Sequence, residues 1–318
     1  MTYTVPSIPH LRLAVTLIAE EPASLPGYHG SMLRGAFGHA LRRLACRMGP
    51  GQECAACPLR RECAYARIFE TFVEGTPPPF LRGIDRAVRP YVFEPREGGG
   101  RLEPGDPLRF DLLLLGRAVE LQAHAVLALE RMAWGGLGSG RARFRLDRVE
   151  APDPSGTPRR LFSEGRSWTS EPLAPAAVVP ADLPAEAVAL HLVTPLRLKV
   201  RDQLAVQLRF RDLAFHMLRR ILELAHFHAP GAELDWTFQP LLQKAQEVRL
   251  RPVDLRWKDW ERWSQRQQSA MKLGGLMGTL ELEGDLAPFA PLLRTAEVVH
   301  VGKGATFGLG KVVLKAAA

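Results

Sequence analysis

Residues 10–19, "HLRLAVTLIA", alternate apolar and polar positions at the two-residue period of a half-buried strand. The next block, "HGSMLRGAFGHALRRLAC", changes to helical spacing. Met32, Leu33, Phe37, Leu41 and Leu44 form its apolar face, and Ser31 stands where a cap belongs. "RPYVFEP" and "PLRFDLLLLG" then read as strands, "AVELQAHAVLALERMA" as a helix, and "GRARFRLDRVE" as a strand whose basic residues alternate. Residues 151–186 are rich in Pro, Ala, Ser and Gly and predict a junction. Beyond it "AVALHLVTPLRLKV" is a strand and "QLAVQLRFRDLAFHMLRRILELAHFH" a long amphipathic helix. "QEVRLRPVDLRWKDWERWSQRQ" and "MKLGGLMGTLELEGDL" are extended, "APFAPLLRTAEVVHV" carries a short helix, and "KVVLK" is a closing strand.

Each half therefore runs β-α-β-β-α-β. Two such units predict an α+β chain of tandem ferredoxin-like (RRM-like) domains, the arrangement used by one large class of RNA binders. The expected organisation is an N-terminal domain over 1–150 with a cysteine-bearing insertion at about 46–72, a linker over 151–186, and a C-terminal domain over 187–318.

Charge adds a partner. The chain has 318 residues, a formal charge of +8 and an isoelectric point near 9.7, which favours an anionic ligand. Only seven of its 42 basic residues are lysine. Arginine's planar fork suits phosphate contact and base stacking, although a GC-rich genome would also raise the arginine count. The longest apolar runs, such as "LLLL" at 112–115, are too short to span a bilayer. The start "MTYTVPSIPH" has neither the basic head nor the apolar stretch of a signal peptide, so a cytoplasmic protein with no membrane partner is expected.

The loop "HVGKGATFGLGKVVL" places Gly302, Gly304, Gly308 and Gly310 around Lys303 and Lys311. It is not a nucleotide-binding P-loop. Five residues, not four, separate Gly304 from Gly310, Val312 follows Lys311 where Ser or Thr is required, and a strand follows in place of a helix. Two readings remain: a backbone contact for nucleic-acid phosphates, or a tight turn whose glycines serve packing. Basic residues also cluster around the first helix (Arg34, Arg42, Arg43), from Arg197 and Lys199 onward, and among Trp257, Trp260 and Trp263, where stacking on bases competes with simple core packing.

Cys46, Cys54, Cys57 and Cys63 fall within 18 residues as C-x7-C-x2-C-x5-C. The central CxxC has the bite of a tetrahedral metal, and four thiolates complete a closed site. A structural zinc is the first expectation, with an iron–sulfur cluster or free thiols as alternatives. No catalytic metal is expected, because four ligands leave no open position.

Four blocks, spread in order over most of the chain, resemble the precursor-crRNA-processing endoribonucleases of CRISPR systems, members of the RAMP superfamily. They are "GYHGSMLRGAFGHALRRLAC" with "CAACPLRRECAYARIFE", "LEPGDPLRFDLLLLGRA" with "GGLGSGRARFRLDRV", "WERWSQRQQSAMKLGGLMGTLELEGDL", and "AEVVHVGKGATFGLGKVVL". The resemblance implies tandem ferredoxin-like domains, CRISPR repeat RNA or crRNA as partner, and a glycine-rich loop near the RNA. It also implies metal-independent attack by a ribose 2′-hydroxyl that leaves a cyclic phosphate. That reaction needs a base, an acid and cations. His39 and His29, in the helical block where such enzymes often place a histidine, are the candidate bases; Tyr28 is placed to orient one or to stack on a nucleotide. Arg34, Arg42, Arg43 and the glycine loop are the candidate RNA contacts. The alternative is a catalytically silent crRNA-binding subunit, partnered by other proteins of a CRISPR effector complex.

Overall fold

The computed structural model describes residues 3–49, 51–152, 156–163, 172–178, 183, 187–259, 261–264 and 269–317. It divides into two compact units, one of residues 9–176 with 227–229, the other of residues 1–8, 177–226 and 230–318. The division falls within the Pro- and Ala-rich stretch. Much of the expected linker lies outside the described residues.

In the first unit β1 (His10–Ala19) is followed by α1 (Gly30–Ala45), β2 (Tyr91–Pro95), β3 (Pro107–Leu115), α2 (Gln122–Trp134), β4 (Phe144–Pro152) and β5 (Pro158–Ser163). The strands form one antiparallel sheet in the order β2-β3-β1-β4-β5. Strand β1 lies between β3, with Leu13 opposite Leu112, and β4, with Val15 opposite Val149. This is the split β-α-β arrangement that the hydrophobic pattern predicts, extended by the edge strand β5. Alternation decides the two faces. Leu11, Leu13, Val15 and Leu17 of β1 are buried in the core with Leu33, Phe37 and Leu41 of α1 and Leu129 and Met132 of α2. On the other face Arg12 meets Glu94 at 2.7 Å and Asp111 at 3.3 Å, and Arg96 meets Asp111 at 2.6 Å.

The second unit repeats the order. Its elements are β6 (Ala187–Leu196), α3 (Phe210–His228), a short α4 (Gln239–Lys244), β7 (Arg249–Pro252), β8 (Arg256–Lys258), β9 (Gly275–Glu283), α5 (Ala290–Val299) and β10 (Val312–Ala316). The antiparallel sheet runs β7-β9-β6-β10, with β8 also paired to β9. Leu190, Leu192, Leu280 and Leu282 of the sheet, Leu213, Met217 and Ile221 of α3, and Leu292 and Leu293 of α5 are all buried. Helix α3 begins at Phe210, seven residues later than "QLAVQLRF" suggests, because Gln203–Leu204 pairs back on Lys199–Val200 as a short hairpin. Among the described residues no helix is long and apolar enough to cross a membrane.

Candidate functional site

Helix α1 buries Leu33, Phe37, Gly38, Ala40 and Leu41, which turns His39 outward. Arg43 stands one helical turn beyond it, also exposed. Arg42 and Arg43 occupy the last turn, where positive charge complements the helix dipole. His39, His124 and His226 are the exposed histidines among the described residues. Of these only His39 has a helical arginine beside it at i+4.

The other candidates of this block are engaged in the fold. The helix begins at Gly30, so His29, and not Ser31, holds the cap position, with no side-chain cap bond. His29, the second candidate base, is wholly buried at 0% exposure and is not open to a substrate in this structure. Loss of hydration lowers its pKa to about 4, against a smaller opposing pull from Glu97. Tyr28 is half-buried, and burial, with Glu94 nearby, holds its phenol protonated far above the usual range. Near neutral pH it stays a neutral phenol and cannot serve as a base. The Arg34 guanidinium lies 4.0 Å over the Phe69 ring. Arg42 donates to the Gln52 carbonyl at 3.2 Å and lies 5.8 Å from the Tyr65 ring. Of the three arginines assigned to RNA, Arg43 is the one whose side chain remains on the surface.

Phe69 explains a glycine in this helix. A Cβ at Gly38 would lie 2.2 Å from the Phe69 ring, so the ring packs directly on the α1 backbone. Phe69 also stacks on Tyr65 and Tyr91, with centroids 5.2 and 6.0 Å away. The segment after the cysteines is thereby fixed to the helix that carries His39.

In the second unit the glycine loop connects α5 to β10. Gly302, Gly304, Gly308 and Gly310 all have positive φ, between 69° and 86°. A Cβ at Gly310 would lie 1.8 Å from the Val301 carbonyl oxygen. The loop is closed by hydrogen bonds within itself, Val301 N–H to Gly310 O at 2.9 Å and Leu309 N–H to Gly304 O at 3.3 Å, and by one to β6, Gly310 N–H to Pro195 O at 3.1 Å. Thr194 Oγ1 donates to Gly308 O at 2.7 Å and accepts from Lys311 N–H at 2.8 Å. His300 is wholly buried, its Nδ1 3.0 Å from Leu309 O, so it pins the loop from inside.

The packing role of these glycines is therefore real. What the loop presents outward is Lys303, whose N–H bonds the Arg197 carbonyl at 2.9 Å. Burial and the neighbouring Lys199 and Arg197 lower its ammonium pKa, which marks three cations gathered at one place. Lys199 also pairs with the fully exposed Asp202 at 3.5 Å. Local sequence pattern cannot join Arg197 and Lys199 to a loop a hundred residues later; a parallel bridge between Arg197 and Gly302 makes the connection. Of the three tryptophans, Trp257 is 39% exposed, its Nε1 donating to Asp259 at 2.9 Å, while the side chains of Trp260 and Trp263 lie outside the described residues. Arg249 and Arg251 of the same stretch pair with Glu283 and Glu281.

Cys46, Cys54, Cys57 and Cys63 are free, half-buried thiols that line one cavity of about 250 Å³. Among the described residues no three His, Cys, Asp or Glu side chains are gathered closely enough to hold a metal ion as they stand.

Comparison with known proteins covers both units. The family model AF_1859_N, an N-terminal domain, matches residues 8–174. The model of the CRISPR-associated endoribonuclease Cas6 matches residues 190–312. Among solved structures the chain is similar to a partial Cas6-RT-Cas1–Cas2 complex, at 15% identity and a TM-score of 0.56 over 99% of this chain. It spans about half of that relative, 47% of its length. It is also similar to a Cas6 product complex (17% identity, TM-score 0.55, 96% of this chain and 99% of the other). A Thermus thermophilus Cas6 has 16% identity and a TM-score of 0.52, over 97% of this chain and 99% of its own. At these identities the likeness is one of fold. No curated protein matches the chain.

Proposed function

We propose that this chain, whose residues 190–312 match the model of the CRISPR-associated endoribonuclease Cas6, binds CRISPR repeat RNA and cleaves it to release crRNA units. The observation that carries the reading is the exposed His39 on α1 with Arg43 one turn away. His39 takes the proton of the ribose 2′-hydroxyl beside the scissile phosphate. The hydroxyl oxygen attacks phosphorus, the 5′ oxygen leaves and takes a proton from water, and a 2′,3′-cyclic phosphate remains. Arg43 offsets the charge that builds on the phosphoryl oxygens. In the second unit Arg197, Lys199 and Lys303 contact the RNA backbone, and the glycine loop holds Lys303 in place. Similarity to a Cas6 product complex and to a Cas6-RT-Cas1–Cas2 complex supports RNA as ligand and other CRISPR proteins as partners.

Incubation of the protein with repeat RNA in excess EDTA tests the reaction. Cleavage that survives chelation and stops when the cut-site ribose is 2′-deoxy is the expected result. Binding of the unmodified repeat without cleavage would instead identify a crRNA-holding subunit.

A further inference from the structure

The reaction makes no use of the four cysteines, and their surroundings call for an explanation. Among the described residues of 46–63 none is buried, and the segment's regular structure is a single turn of 3-10 helix, Cys54–Ala56. Eighteen residues without a core of their own do not hold a shape through apolar burial; segments of this kind are fixed by disulfides or a metal. The thiols are free.

Their placement is not that of unrelated surface cysteines. Cys46 follows the last residue of α1, its N–H bonded to the Arg42 carbonyl at 2.9 Å. Cys57 closes the CxxC turn, its N–H 3.3 Å from the Cys54 carbonyl. Cys54 and Cys63 pack against the main core, and the Cys63 sulfur reaches to 4.0 Å from the carbonyl of Ala45, the neighbour of Cys46. Cys54 lies within electrostatic reach of Cys46, Cys63 and Arg42. The cavity that all four line also admits Glu62 and His124 at its wall. Charges of both signs lie nearby: Arg42 and Glu70 act on Cys54, Arg47 and Glu62 line the cavity, and Arg60 donates to the Ala55 carbonyl at 2.8 Å. A metal bound by four thiolates carries net negative charge, which the arginines among them offset.

We propose that Cys46, Cys54, Cys57 and Cys63 close around one zinc ion as a structural site that fixes the 46–63 segment to the end of α1. Closure requires the four side chains to turn inward until each sulfur is about 2.3 Å from the ion, with loss of the thiol protons. Four sulfurs fill the coordination sphere, so the ion takes no part in RNA cleavage and the site stands independently of that reaction. Its consequence for the rest of the unit is mechanical. One end of the segment is Cys46 at the α1 terminus; the other is Cys63, which leads into Tyr65 and Phe69 packed on the same helix.

The test is metal analysis of the full-length protein purified anaerobically without chelator. One zinc per chain is expected. Cys54→Ser and Cys57→Ser should each reduce it to trace amounts, while His124→Ala should leave it at one. To separate loss of ligand from failure to fold, the wild-type protein is stripped of metal and titrated with cobalt(II). Thiolate-to-cobalt charge-transfer bands with the visible bands of a tetrahedral ion are expected, together with slowed amide exchange over 46–63. Wild-type protein without zinc, zinc indifferent to the cysteine replacements, or iron with labile sulfide in place of zinc would each overturn the assignment.

Discussion

His39 and His29 are ten residues apart in one block, and sequence treats them alike; their surroundings do not. His39 lies on the outward face of α1, and His29 is sealed at its start. Replacement of His39 by Ala should lower the cleavage rate by about 10²- to 10⁴-fold, the usual worth of a general base, with repeat binding and melting temperature unchanged. Full activity in that variant would refute the assignment. His29 has a different signature. Its pKa is lowered to about 4 from the ordinary 6.5, so between those values the unfolded chain binds more protons than the folded one. Stability conferred by keeping this imidazole neutral is complete above pH 6.5 and is lost as pH falls toward 4, on the order of 3 kcal/mol across the window. A His29→Phe variant should lack that part of the acid limb in denaturant midpoints measured from pH 7 to 4. The outward position of His39 was legible from the apolar face of "SMLRGAFGHALRRLA", since residues 33, 37 and 41 fix the opposite side. The burial of His29 was not, because it depends on the turn before the helix and on chain far along the sequence, such as Gly99, whose N–H bonds the Gly27 carbonyl at 3.0 Å.

At the scale of elements, the glycine loop separates two roles that its sequence merges. Gly310 has a φ of 69° and a neighbouring carbonyl oxygen where a Cβ would go. Gly310→Ala should therefore destabilise the protein by about 1–3 kcal/mol and lower its melting temperature whether or not RNA is present. Lys303→Ala touches no packing contact of the loop backbone. It should leave the melting temperature unchanged and weaken RNA binding, with the salt dependence of log K reduced by about 0.7 for the lost phosphate contact. Equal effects of the two replacements on stability would show that Lys303 also serves the fold. Periodicity was sufficient to find both split β-α-β units, because each strand and helix buries one face at its own period. It did not find β5, whose exposed "PRR" gives no apolar alternation, nor the late start of α3, where tertiary pairing of 203–204 overrides helical propensity.

Across the whole molecule, the count of 42 basic residues overstates the cations available to a ligand. On the first sheet, Arg12, Arg96, Arg109 and Arg148 are held by Glu94, Asp111, Glu97, Asp147 and Glu150, and in the second unit Arg249 and Arg251 are held by Glu283 and Glu281. Arg220 is buried, its Nε donating to the last carbonyl of α5 at 2.6 Å, and burial lowers its pKa to about 10. These side chains hold strands and helix ends together, and composition cannot distinguish them from cations that await a phosphate. The exposed pairs are individually weak, yet an RNA phosphate must compete with the carboxylate already in place. Arg43, Arg197, Lys199 and Lys303 are the cations assigned to RNA, Lys199 by exchanging its exposed Asp202 partner for a phosphate. Four phosphate contacts on single-stranded RNA give a slope of log K against log salt of about −3. Fluorescence anisotropy of a labelled repeat, titrated over a range of KCl, measures it. A slope steeper than about −6 would require roughly eight or more contacts, and would mean that basic residues beyond these four also engage phosphate.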